Sequence, residues 1–325
     1  IGMHRSGTSL MSRSLRAVGV DHGSKLLSGE DNPLGHWEDT DLLMINNELL
    51  ELVGKRWYSM AKLEAADMGL LTSETMLARA KELIVQKIDG KGVYGFKDPR
   101  TTLLLPFWQR VMHDLGRQHH FLLTIRKPEA VCNSLAKRNQ FNPIRSSYLW
   151  LNYNLSALEF LQEDPQSMSV IDYDSMLADP RMQLQKLSKQ TGLKLDSQEL
   201  QCFIDKFIDP GLNHAKKEPE DIESIHGILP NLRQELYTFL VGLSDHAAQL
   251  KTTEAHQKIG AWRSTLDQVN HLLQMDDEDY DRVHSAEEKA QRARQYLAEM
   301  IESTSWKITR PLRQFKDFWM QHRNA

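Results

Sequence analysis

The sequence predicts an α/β fold, a three-layer domain with a central parallel sheet and helices on both faces, followed by a long-helix or coiled-coil extension. Short apolar runs rich in β-branched and aromatic residues alternate with longer helix-period segments, the pattern of parallel strands joined by crossover helices. A glycine-bracketed loop opens the chain where a strand would hand over to a helix. After about residue 250 the alternation gives way to a heptad pattern. The expected division is therefore an α/β domain over residues 1–250 and a helical extension over residues 251–325 with a basic amphipathic tail. A chain of 325 residues can bury a large core, and its formal charge of −4 gives no reason to expect a nucleic-acid partner. No run approaches the ~18 consecutive apolar residues of a membrane span. Cys132 and Cys202 lie far apart without metal-ligand spacing, so they read as free thiols of a reducing, cytoplasmic compartment, and no metal is expected.

The opening segment is Ile1-Gly2-Met3-His4-Arg5-Ser6-Gly7-Thr8-Ser9. It has the glycine spacing of the phosphate-cradling loop G-x-x-x-x-G-K-[ST], which makes the expected fold P-loop-type, but Thr8 stands where the lysine would be. A nest of backbone N–H groups still suits an anionic phosphate, while a nucleotide triphosphate is poorly served. The chain opens inside a predicted strand, which implies residues ahead of Ile1 and leaves an N-terminal targeting segment open. Helices are expected over residues 9–18, 40–53, 73–88 and 129–138, with Asp39 or Thr40 capping the second. Strands are expected over residues 93–96, 121–125 and 168–171. Ligands of such sheets bind at the carboxyl ends of strands. That rule groups the opening loop with the residues after Phe96 and those after Ile125.

After Phe96 comes Lys97-Asp98-Pro99-Arg100-Thr101-Thr102. Asp98 has the position of a metal-holding aspartate of an NTPase, but the expectation is that it braces a turn with Arg100 and leaves Lys97 for function. After Ile125 comes Arg126, with Ser134 eight residues on and Arg138 four beyond, a guanidinium and a hydroxyl suited to a phosphate without a metal. Ile259, Trp262, Leu266, Val269, Leu273, Tyr280, Val283, Ala286, Ala290, Ala293, Leu297 and Met300 follow three- and four-residue spacing over about six heptads, with Asp276 the one polar interruption. A coiled coil, and a homodimer through residues 259–300, is one expectation; a single amphipathic helix packed on the domain is the other. Trp306 to Lys316 mixes bases with apolar residues, which would suit a peripheral membrane contact or a solvated tail.

Together these motifs resemble the sulfotransferase superfamily, enzymes that use 3′-phosphoadenylyl sulfate. Residues 2–9 look like its 5′-phosphosulfate loop, and residues 126–138 like its 3′-phosphate motif. Lys97-Asp98-Pro99-Arg100 is similar to the segment bearing the sulfuryl-contacting lysine of the Golgi and bacterial branches. Asn32-Pro33-Leu34-Gly35-His36-Trp37-Glu38-Asp39 resembles the block that supplies their carboxylate base. Val170-Ile171-Asp172-Tyr173-Asp174 with Asp179-Pro180 resembles a later strand and turn, so the likeness spans about residues 1–215. It implies nucleotide contacts from Arg5, Ser6, Gly7, Thr8, Ser9, Arg126, Ser134 and Arg138, and catalytic roles for Arg5, Lys97 and either Glu38 or His36. The implied reaction moves a sulfuryl group to a hydroxyl or amine acceptor and leaves adenosine 3′,5′-bisphosphate. The chain lacks the late Arg-Lys-Gly loop of the cytosolic branch, so half of the 3′-phosphate site has no residues assigned. A carbohydrate or glycan-precursor acceptor is suggested by residues 303–313, which are similar to tails of bacterial surface-polysaccharide enzymes. A P-loop kinase is the first alternative, weakened by Thr8. A non-catalytic assembly protein that uses its coiled coil is the second.

Overall fold

The structure is a computed structural model, described here for residues 1–27, 35–208 and 229–313. The opening loop runs into helix α1 (Thr8–Ser14), which tightens into a 3₁₀ turn over Leu15–Val18 and ends at Gly19 in the left-handed region. Helix α2 (Thr40–Leu52) starts at Asp39, whose Oδ1 accepts from the amides of Asp41 and Leu42 at 3.1 and 3.3 Å. Helices α3 (Ala65–Leu71), α4 (Glu74–Ile88) and α5 (Leu105–Asp114) follow. Then come strand β1 (Phe121–Ile125), helices α6 (Pro128–Asn139) and α7 (Pro143–Leu161), and strand β2 (Met168–Asp172). Helices α6 and α7 begin on proline, whose fixed φ suits the first helical position and whose missing N–H leaves nothing unpaired there. Helix α7 is the centre of the core. Leu149, Trp150, Leu151, Tyr153, Leu155, Ala157 and Leu158 are all fully buried, the all-round burial of an interior helix.

Strands β1 and β2 pair in parallel from Phe121 opposite Met168 to Ile125 opposite Asp172. Ile1 continues the hydrogen-bond ladder on the other side of β1, donating to the Leu122 carbonyl at 2.9 Å and accepting from the Thr124 amide at 3.0 Å. The expected strand over residues 93–96 does not form. Tyr94 makes only an isolated parallel bridge to Asp21, with Asp21 N to Val93 O and Gly95 N to Asp21 O both at 2.9 Å. Gly95 is seated so closely on Val20 that a Cβ would come within 2.6 Å of its Cγ1, which fixes this segment to residues 20–21. Among the described residues the sheet therefore has two strands, narrower than the central sheet expected, within a mostly helical α/β architecture.

Helices α8 (Tyr173–Ala178), α9 (Pro180–Thr191) and α10 (Ser197–Phe207) pack near β2 and α1, burying Ile171, Met176, Leu184, Leu187, Leu200 and Phe203 with Met11 and Val18. Helix α11 (Leu229–Asp245) follows, then α12 (Thr253–Asp267), α13 (Asn270–Glu302) and α14 (Thr304–Ile308). The heptad segment is not one continuous seam. It breaks between α12 and α13, and Ile259, Trp262 and Leu266 are buried in the core, so this stretch is not available to a partner helix. Arg263 fastens α12 to α7 through Glu159, with Nε and Nη2 each 2.7 Å from a carboxylate oxygen. Two compact units divide at His271 and Leu272, and α12 belongs to the first. In the second unit Val283, Ala286, Ala290, Ala293 and Leu297 are exposed along α13. Among the described residues no helix is long and apolar enough to cross a membrane. Asn32, Pro33, Leu34 and the end of the tail from Gln314 lie outside the described residues.

Candidate functional site

Three residues with positive φ shape the opening loop: Gly2 at 136°, Arg5 at 68° and Gly7 at 87°. A Cβ at Gly2 would lie 2.4 Å from the Thr124 carbonyl oxygen, and one at Gly7 would lie 2.1 Å from Cδ2 of Tyr173. Both glycines thus admit neighbours no larger residue would allow. Arg5 has no such freedom, and a non-glycine residue in this region needs support from its surroundings. Two contacts supply it. Its Nε donates to Ser134 Oγ at 2.7 Å, and its carbonyl accepts from Arg126 Nη1 at 3.1 Å. The Arg126 guanidinium also lies 4.2 Å from the ring centre of Tyr173, so Tyr173 is held between Gly7 and a cation. The loop is interlocked with the strand end and helix that carry Arg126 and Ser134.

Asp98 and Arg100 form the expected pair at the turn. Asp98 is buried, and burial pushes its carboxyl pKa up while Arg100 pulls it down. Its Oδ1 accepts from the amide of Arg100 at 3.0 Å and from Arg100 Nη1 at 2.9 Å, and its Oδ2 accepts from Asn46 Nδ2 at 2.8 Å. These bonds brace the 3₁₀ turn over Pro99–Thr102 and occupy both oxygens, so this aspartate is not free to carry a metal. No group of three His, Cys, Asp or Glu residues among the described ones could hold a metal ion. Lys97 instead faces Glu38, with Nζ 2.7 Å from Oε1 and both residues buried. Burial lowers the Lys97 pKa, and the Glu38 carboxylate partly restores it. Arg100 lies 3.7 Å from the other Glu38 oxygen. Burial opposes the charge of Arg100, yet Asp98 and Glu38 outweigh it and hold the guanidinium pKa above its ordinary value.

A cavity of about 260 Å³ brings these groups together. Arg5, Gly7, Thr8, Ser9, His36, Glu38, Lys97, Arg126 and Arg138 line it. Ser6 is buried, and Ser134 supports the wall through Arg5. Ser9 Oγ donates to the backbone carbonyl of His36 at 3.0 Å, tying the loop to the segment that bears Glu38. With Arg13, which also lines it, five cations and one carboxylate thus face one space, which favours an anion. The volume falls below the ~300–1,000 Å³ of whole-ligand pockets and suits the charged end of a ligand. His4, Arg13, Tyr173 and Phe207 also line the cavity and were not among the expected site residues. Tyr173 follows the carboxyl end of β2, so the strand-end rule would have found it. Phe207, at the end of α10, has no local signal. His113, His119 and His120 do not line this cavity, and Cys132 and Cys202 are both free thiols.

His4 is buried, and burial together with the charges of Arg100, Lys97, Arg138 and Arg5 holds its pKa well below the ordinary histidine value. The unfolded chain takes up the proton first as pH falls, so the stability from neutral His4 is fully present above pH ~6.5 and is lost below it. The loss is at most about 1.4 kcal/mol per pH unit. Urea unfolding at pH 7.5 and 5.5 should show a larger drop for the wild type than for His4→Phe, whose phenyl ring has no proton to take up.

No protein-family profile matches the chain, and no curated protein does. Solved structures do. The sulfotransferase domain from the Synechococcus PCC 7002 olefin synthase aligns over 74% of this chain and 92% of its own, at 16% identity and a TM-score of 0.45.

Proposed function

We propose that the cavity receives the phosphate and sulfuryl groups of 3′-phosphoadenylyl sulfate and that the chain is a sulfotransferase acting on a hydroxyl or amine. The observation that carries this reading is the convergence of Arg5, Lys97, Arg126 and Arg138 on a space that holds a single carboxylate, Glu38. Among the described residues Arg126 Nε is buried without a hydrogen-bond partner, a donor that a phosphate oxygen would satisfy. The donor nucleotide supplies a sulfuryl group bonded to a phosphate oxygen that gains negative charge as the bond breaks.

The protein's share is positioning and charge stabilisation. Backbone N–H groups of the loop, with Thr8 and Ser9, suit the 5′-phosphate, and Lys97 suits the oxygen between phosphorus and sulfur. Arg126 and Arg138 suit the 3′-phosphate, with Ser134 holding Arg5 in place. Arginine and lysine can do here what magnesium does for a triphosphate, because less charge must be neutralised. Glu38 would take the acceptor's proton, with His36 as its competitor on the same wall. A carbohydrate or glycan-precursor acceptor fits this reading through the character of residues 303–313.

Glu38→Gln should keep nucleotide affinity while losing about 10²–10⁴ in turnover, the usual contribution of a proton-transfer group. Turnover is read as release of adenosine 3′,5′-bisphosphate from the donor. Wild-type turnover in this variant would remove Glu38 from the mechanism.

A further inference from the structure

His4 lies inside the opening loop, yet nothing in the loop motif assigns its side chain a task. Its ring is wedged between Trp57, with centroids 4.4 Å apart, and Tyr153, at 5.9 Å and nearly perpendicular. Tyr153 is itself fixed, since its hydroxyl donates to the Trp57 carbonyl at 2.7 Å. The imidazole is therefore oriented by packing, and its Nε2 is buried without a hydrogen-bond partner among the described residues. A buried side-chain nitrogen left so is uncommon and points to a missing ligand. His4 is 8% exposed and lines the same cavity as Lys97 and Glu38.

We infer that His4 is a substrate-contacting residue: it donates a hydrogen bond from Nε2 to an oxygen of the sulfuryl group. This rests on the sulfotransferase reading above. Arg5, Lys97, Arg100 and Arg138 all act electrostatically on the ring, so this corner is where their combined field draws an anionic group. Burial, with the same field added to it, disfavours the protonated ring, and a neutral imidazole still offers one N–H. Lys97 and Arg100, the two cations that face Glu38, both act on the His4 ring, and the Lys97–Glu38 pair is where the sulfuryl group would be handed over.

Calorimetric titration with two nucleotides separates this role from a structural one. The probes are 3′-phosphoadenylyl sulfate and adenosine 3′,5′-bisphosphate, which lacks the sulfuryl group. In His4→Phe, which keeps the ring packing, affinity for the sulfated nucleotide should fall by about ten- to hundredfold. Affinity for the bisphosphate should stay within about twofold of wild type. His4→Gln, which restores an N–H, should regain most of the loss, and the unfolding midpoint of each variant confirms that it folds. Equal weakening for both nucleotides, or for neither, would overturn the assignment while leaving the sulfotransferase reading in place. Failure of the wild type to bind either nucleotide would overturn both.

Discussion

Lys97→Met is expected to destabilise the protein by about 3–5 kcal/mol, although it puts an apolar side chain into a buried position. The reason is Glu38. Its carboxylate is buried 2.7 Å from the Lys97 ammonium, and the next cation, Arg100, is 3.7 Å away and already engaged by Asp98. Removing Lys97 leaves a buried charge with its closest partner gone, which costs far more than the pair contributes when intact. The double variant Lys97→Met/Glu38→Gln should therefore recover most of the stability, since neither side chain then brings a charge that needs a partner. Urea denaturation at pH 7 of the wild type, the single and the double variant measures this directly. A single variant as stable as wild type would mean that water or Arg100 already solvates Glu38 and that the ion pair is not closed.

Gly7→Ala is the second substitution of large effect, with an expected cost of about 2–5 kcal/mol from two sources. A non-glycine residue at φ 87° costs about 1–2 kcal/mol, and forcing extra volume into a packed site adds about 1–3 kcal/mol. The clash is with Tyr173, whose ring is stacked under Arg126 and has little room to withdraw. Gly19 provides the control. Its φ is 79°, yet a Cβ there meets nothing within 4 Å, so Gly19→Ala should show the backbone cost alone. Equal losses for the two variants, read from thermal or urea unfolding, would show that Tyr173 moves aside freely. A larger loss at Gly7 should come with weakened nucleotide binding, because the displaced ring carries Arg126 with it.

The segments whose behaviour depends on near neighbours were legible in the sequence. The runs at 121–125 and 168–171 are apolar and bounded by helix starts, and both form strands within a residue of the expected ends. Of the two caps expected, Asp39 and Thr40, it is Asp39 whose side chain does that work. Asp98 and Arg100 form the local pair that their spacing allows. Contacts set by distant partners were not legible. Residues 93–96 have the composition of a strand, but Asp21 and Val20 decide what they pair with. The three- and four-residue spacing from Ile259 suits a coiled coil and a core-packed helix equally, and no glycine or proline marks the break after Asp267. The candidate site shows the same split. Its loop follows from the motif and Arg126 from the end of β1, whereas the seat of His4 against Trp57 and Tyr153 is assembled from segments far apart in the chain.

The reading proposed above has this lysine-less loop, with Lys97, Arg126 and Arg138 beside it, bind an adenosine nucleotide that carries a 3′-phosphate and needs no magnesium. Thermal unfolding with adenosine 3′,5′-bisphosphate, set against ATP with magnesium, tests it most directly. At a hundredfold its Kd the bisphosphate should stabilise the folded chain by ~2.7 kcal/mol, with or without a chelator present. ATP with magnesium should give a clearly smaller shift at the same concentration. Stabilisation by ATP with magnesium alone, lost on chelation, would contradict the account and restore the loop to the nucleotide-triphosphate enzymes.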